Sequence, residues 1–269
     1  MAEVTMQENV SISNSGGRGL IVDVFRPAGA SGLVPGLLFL PGGGWASANR
    51  EGLKERYGIP MAQRGYICVT GEYRVMEEAP WPAQIQDVKT ILRWMRANSE
   101  SLGINPAQIV IGGKSAGGQL ALLAAGTPGV PEFEGNGANA AIGSEVAAAI
   151  GVAPVSDMRE WGRQPRLEPL FGANPSTDVL EAASPVMQIS ASYPPTLLVH
   201  GTSDTRVPHT MTMRIYQALA DAGVPADLML LGGQDHGFDG DSQFSNAIAD
   251  AMALLISRYV AAPATVAAD

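Results

Sequence analysis

The stretch from Gln108 to Ala125 constrains the fold more than any other part of the chain. Gln108-Ile109-Val110-Ile111-Gly112 reads as a buried strand, Gly113-Lys114-Ser115-Ala116-Gly117 as a sharp turn, and Gly118 to Ala125 as a helix. A serine with glycine two residues away on either side, set between strand and helix, is the pattern of a nucleophile elbow. The serine sits at a strained backbone angle that leaves no room for side chains at the flanking positions. Such a turn lifts the hydroxyl into the open at a helix amino terminus, where developing negative charge is favoured.

Gly113-Lys114-Ser115 also spells the end of a phosphate-binding loop, Gly-x-x-x-x-Gly-Lys-Ser. That loop needs its first glycine at position 108, which is Gln108, and slack backbone where this chain has Ile109, Val110 and Ile111. Nucleotide binding is therefore set aside.

Around the elbow, apolar β-type runs exchange regularly with helical patterns, the mark of a largely parallel sheet. Runs near 5–12 and 20–26, separated by the turn-rich Ser13 to Gly17, predict an antiparallel start. Further strands are expected at 36–40, 66–71, 108–112, 147–153, 196–200 and 227–231, each apolar on both faces as strands covered by helices must be. Helical spacing places Ile85, Val88, Leu92 and Met95 on one core face, and Phe244, Ile248, Met252, Leu255 and Tyr259 on another. One long interruption, 156–190, contains Trp161, Pro165, Pro169, Phe171 and Pro175 and is read as a small cap or lid. The 269 residues, 46% hydrophobic, suffice for a single α/β domain over 1–269.

Composition excludes several classes of function. With 17 Lys and Arg against 26 Asp and Glu, a net charge of −9 repels phosphate backbones, so nucleic acid is not an expected partner. No run reaches the length of a membrane span. Cys68 is the only cysteine, which forbids an internal disulfide and leaves too few thiolates for a zinc or iron–sulfur site; it reads as a small buried hydrophobe. No metal or other cofactor is expected. The first residues lack a basic region followed by an apolar one, so the default expectation is cytoplasmic, with a secreted mature form left open.

A serine hydroxyl needs a base, and the chain has three histidines. His200 lies inside a strand and reads as packed; His209 reads as a surface residue at a helix start. His236 sits in the glycine-rich loop Gly232 to Phe238, after the last strand, where such a fold gathers its functional groups. The carboxylate that orients it is expected between serine and histidine in the chain, and Asp204, in the loop after the His200 strand, fits; Asp235 is too close in sequence to turn toward the ring. The backbone amide of Ala116 and amides from Pro41-Gly42-Gly43-Gly44-Trp45 are candidate oxyanion donors.

In ordered succession, Gly42-Gly43-Gly44-Trp45, Tyr73-Arg74-Val75, Glu78 to Ala83 with Asp87, the Ser115 elbow, Ala183-Ser184-Pro185, His200-Gly201 with Asp204, and His236-Gly237-Phe238 resemble the α/β-hydrolase superfamily. Within it the chain is similar to bacterial serine esterases of the hormone-sensitive-lipase and feruloyl/acetylxylan-esterase-like groups, over about residues 34 to 260. The resemblance implies an α/β-hydrolase fold, a mostly parallel central sheet flanked by helices with a small cap insertion, and assigns oxyanion amides to Gly43 and Gly44. Two positions depart from the pattern. Pro41 replaces a histidine before the glycines, and Lys114 precedes the nucleophile, where it either favours an acidic substrate or faces solvent. The long amino-terminal helical cap of many relatives is lacking, which implies a more open site.

The combined expectation is a carboxylic ester hydrolase acting on small short-chain or aryl esters. Ser115, Asp204 and His236 are its triad, Gly43, Gly44 and Ala116 its oxyanion hole, and Trp45, Phe171 and Phe238 its apolar pocket wall. An amidase or peptidase of the same fold, and a small-ligand binder that retains the triad, are the alternatives. The sequence leaves the oligomeric state open.

Overall fold

In β3 (Val34–Leu40), Leu37 and Phe39 point to one face of a sheet and Leu38 and Leu40 to the other, because strand side chains alternate; each face carries its own apolar core. The computed structural model describes residues 3–12 and 19–261. Within them the sheet has eight strands: β1 (Val4–Ile12), β2 (Leu20–Pro27), β3, β4 (Ile67–Gly71), β5 (Ile104–Lys114), β6 (Ala148–Val152), β7 (Thr196–Gly201) and β8 (Ala226–Leu231). Their spatial order is β1-β2-β4-β3-β5-β6-β7-β8. β2 runs antiparallel to both β1 and β4, and every later pairing is parallel.

Each run read as a strand is a strand, and the antiparallel start is present; the turn at 13–17 lies outside the described residues. β5 begins earlier than its apolar run, because Ile104 pairs with Val34 and its side chain fills the space above Gly36. The pairing of β2 with β4, with β3 on β4's far side, is not visible in the sequence. Strands apolar on both faces carry no mark of which neighbour they take.

Four helices of eleven residues or more flank the sheet among the described residues: α1 (Ala83–Ala97), α2 (Ala116–Gly126), α3 (Thr210–Asp221) and α4 (Ser242–Tyr259). The first three bring Ile85, Leu120 and Ile215 into the core that contains Leu38 and Leu40. On the other face α4 brings Ile248, Met252 and Leu255 into the core with Phe39, Ile150 and Val199. The α1 stripe is buried as its spacing implies. The α4 stripe is shorter than expected: Phe244 is half-buried, and Tyr259, the helix's last residue, is exposed with its hydroxyl bonded by Arg258.

Residues 156–190 are built from short helical turns, Met158–Trp161, Glu168–Phe171 and Thr177–Ala182. Asp157 caps the first by accepting from Arg159 N at 3.1 Å, and Ser176 caps the last by accepting from Val179 N at 3.3 Å. Leu167, Leu170 and Leu180 bury themselves beneath it, and Leu170 O accepts from Trp81 N at 2.9 Å. The segment is thus packed down rather than loose. No helix among the described residues is long and apolar enough to cross a membrane.

Candidate active site

Ser115 stands between β5 and α2 at φ 54° and ψ −118°, a conformation that a residue with a side chain adopts only under constraint. The constraint is visible on both sides. A Cβ on Gly113 would lie 2.2 Å from Gly117 O, and one on Gly117 2.4 Å from Pro41 O, so neither position accepts a side chain. Ser115 N donates to Val152 O at 2.9 Å, tying the turn to the end of β6. Ala116 opens α2, so its amide is one of the first-turn donors that have no partner within the helix.

The glycine loop follows β3 and passes close to the serine: a Cβ on Gly42 would approach Ser115 Cβ to 3.2 Å. Gly43, Gly44 and Trp45 all have positive φ, at 136°, 61° and 62°. Trp45 is almost fully buried, and its Nε1 donates to Gln119 Oε1 at 3.2 Å, which pins the loop to α2. Gln119 Nε2 in turn donates to Ala183 O at 2.8 Å. Pro41 carries no N–H, but its carbonyl accepts from the buried Tyr73 hydroxyl at 3.0 Å, so the loop is anchored on that side as well. These bonds link segments that the sequence shows only as separate motifs.

Asp204 is the best-held carboxylate of the region. Its Oδ1 accepts from Arg206 N at 2.8 Å and Val207 N at 2.9 Å; its Oδ2 bonds His236 Nδ1 at 2.6 Å and His200 Nε2 at 3.1 Å. Burial acts to raise its pKa, but the backbone bond from Val207 and the His236 imidazole outweigh it and hold the carboxyl below its usual value. Burial likewise lowers His236 below the ordinary histidine value, against the opposing pull of Asp204. With Nδ1 taken by Asp204, Nε2 is the nitrogen His236 has left for another group. Among the described residues Ser115 Oγ and His236 share no hydrogen bond, but both border one cavity of about 780 Å³.

His200 is fully buried, as its strand position implies, yet it belongs to this network. Its Nε2 faces two acceptors, Asp204 Oδ2 and Val207 O at 3.0 Å, so the proton resides there and Nδ1 accepts from Thr212 Oγ1 at 2.6 Å. Sequence reasoning missed this role; its only signal was the spacing of four residues to Asp204.

Of the residues expected to form an apolar wall, Trp45 borders the cavity with little of its surface exposed, while Phe171 and Phe238 do not border it. Phe171 packs on Trp81 at 5.5 Å between ring centres, because the segment that carries it is folded down. Phe238 is buried in the core beneath α4. Lys114 borders the cavity but is not free. It is nearly buried, forms an ion pair with the fully buried Asp239, and lies 5.6 Å from the centre of the Phe238 ring. Tyr57 OH donates to the same carboxylate at 3.0 Å. The cavity mouth is shared by the glycine loop, the loops after β7 and β8, and Trp161, Gln164 and Arg166 of the 156–190 segment.

A doubly covered, mostly parallel sheet with an elbow serine after its central strand defines an α/β-hydrolase fold. The BD-FAE family matches residues 22–219, and the chain belongs to that family; Ser115 and Asp204 fall inside the matched region and His236 beyond it. Among curated proteins it is 35% identical over 203 residues to the probable carboxylic ester hydrolase LipM of Mycobacterium tuberculosis, covering 71% of this chain and 47% of that protein. The chain spans about half the length of the curated relatives it matches. Among solved structures, an esterase from Thermogutta terrifontis superposes with a TM-score of 0.78 at 28% identity, covering 96% of this chain and 94% of that one. A truncated carbohydrate esterase from gut microbiota superposes with a TM-score of 0.81 at 25% identity, covering 94% and 96%.

Proposed function

We propose that the protein is a carboxylic ester hydrolase that works through an acyl-enzyme on Ser115. The observation that carries the reading is the 2.6 Å bond between His236 Nδ1 and Asp204, which leaves Nε2 without a hydrogen-bond partner among the described residues, in a residue that borders the same cavity as Ser115. In this reading Nε2 takes the Ser115 proton as Oγ attacks the ester carbonyl, and returns it to the departing alcohol. Asp204 holds the ring in the Nδ1–H form and stabilises the imidazolium. The amides of Gly43, Gly44 and Ala116 receive the negative oxygen of the tetrahedral intermediate. Water, deprotonated by the same imidazole, then releases the acid.

Relatives named as esterases support the reading, and one of them, the Thermogutta terrifontis enzyme, has been seen with propionate and with butyrate. Short acyl groups suit this chain too, since the 156–190 segment serves as a low, packed cap. A fluorophosphonate probe tests the assignment: it is expected to label Ser115 and to abolish hydrolysis of 4-nitrophenyl acetate. Absence of labelling in a folded sample favours a small-ligand binder, and faster turnover of a matched anilide than of its ester favours an amidase.

A further inference from the structure

The cavity beside Ser115 is more basic than the rest of the chain. In a protein of net charge −9, Arg56, Lys114, Arg166 and Arg206 all border it, against one carboxylate, Asp235. Two of the four have a counter-charge behind the wall: Lys114 pairs with Asp239, and Arg56 NH1 lies 3.7 Å from the same carboxylate. Among the described residues neither Arg166 nor Arg206 forms an ion pair.

Both are nevertheless positioned. Arg166 Nε donates to Gln164 Oε1 at 2.9 Å, and its guanidinium lies 5.5 Å from the Trp161 ring centre. Its NH1 would be 3.4 Å from a Cβ on Gly44, so it hangs over the glycine loop. Arg206 is fixed at its backbone by Asp204 Oδ1 and stands close enough to His236 to disfavour the imidazolium. One unpaired guanidinium therefore lies on the glycine-loop side of the serine and one on the histidine side. Exposed guanidinium groups without carboxylate partners, on the wall of a partly enclosed cavity, are suited to binding an anion through paired N–H donors.

We propose that this site selects esters that bear a carboxylate, with Arg166 and Arg206 as the groups that receive it. The inference rests on Ser115 being the nucleophile of an ester hydrolase. The carboxylate has two possible sources: the acyl part, as in a hemiester of a dicarboxylic acid, or the alcohol part, as in the ester of a hydroxy acid.

Two near-isosteric substrate pairs separate these sources. Monoethyl glutarate against ethyl pentanoate reports an anion on the acyl side, and 3-acetoxybenzoate against 3-methylphenyl acetate reports one on the alcohol side. In at least one pair kcat/KM is expected to favour the anion on the order of tenfold at low salt. That preference should shrink in high salt, and the ratio should fall toward one in the Arg166→Gln, Arg206→Gln double variant. The pair that shows it names the source. A ratio at or below one in both pairs, or a ratio the double variant leaves intact, overturns the proposal while neutral esters are still hydrolysed. No turnover of any of the four overturns the ester-hydrolase reading with it.

Discussion

Ser115 and His236 reach the same cavity from elements of different kinds. The serine is held between an eleven-residue strand and an eleven-residue helix, and its position follows from backbone sterics at Gly113 and Gly117. The histidine stands in the loop after β8 and is oriented by a side-chain bond to Asp204, itself fixed by two backbone amides and a second histidine. In the proposed mechanism the nucleophile half is thus a product of local chain geometry, whereas the acid–base half is assembled from groups distant in sequence. A steric lesion at Gly113 or Gly117 should cost folding, whereas removing a functional side chain of either half should cost chemistry without unfolding.

The largest expected effect removes the proposed nucleophile alone. Ser115→Ala should lower kcat about a millionfold and leave the thermal midpoint near that of the parent, since the substitution keeps the Cβ at the strained position. Unchanged turnover would remove Ser115 from the reaction. Next, Asp204→Asn should cost about ten-thousandfold in kcat by favouring the wrong imidazole tautomer, with native circular dichroism; a loss below tenfold would transfer the orienting role elsewhere.

A steric lesion in the nucleophile half should behave differently. Gly113→Ala forces a Cβ into the backbone carbonyl of Gly117 and should destabilise the fold by about 1–3 kcal/mol or more, seen as a lowered denaturation midpoint. A stable, fully active variant would break the contrast between the two halves. His200→Phe should lower kcat only about tenfold, since it removes one of four bonds to Asp204, the equivalent of about 1–1.5 kcal/mol. Because the role is positioning, the acid limb of the pH profile should move as well, which a mere packing defect would not produce.

The smallest effect concerns that limb in the unaltered protein. In the proposed mechanism His236 must be neutral to accept a proton, and burial holds its pKa below the ordinary histidine value. Activity should therefore persist as pH falls to the usual histidine range and decline only below it. In Asp204→Asn the residual activity should hold to lower pH still, because the anion that raises the imidazole pKa is gone. A limb above pH 7 would contradict the burial-dominated environment.

The strands and the elbow were legible because each is encoded over a few adjacent residues: Ile109-Val110-Ile111 can only extend, and Gly113 and Gly117 can only flank a tight turn. That Ser115 and His236 border one cavity and that His236 bonds Asp204 accord with the sequence reading for a related reason, since loops at the carboxyl ends of parallel strands lie together. The aromatic wall was not legible. Phe171 turns toward Trp81 and Phe238 into the core, and only the packing of the 156–190 segment and of α4 decides which way those rings face. That Lys114, at the cavity wall, pairs with Asp239 from beyond β8 was likewise not legible.

The sequence by itself determined the α/β layering and the strained serine, because hydrophobic period and glycine placement act over short distances. Only the tertiary structure decided that β2 lies beside β4, that His200 joins Asp204, and that Arg166 and Arg206 come to the same cavity. Those facts depend on which distant segments share a surface, and no local pattern of residues carries that information.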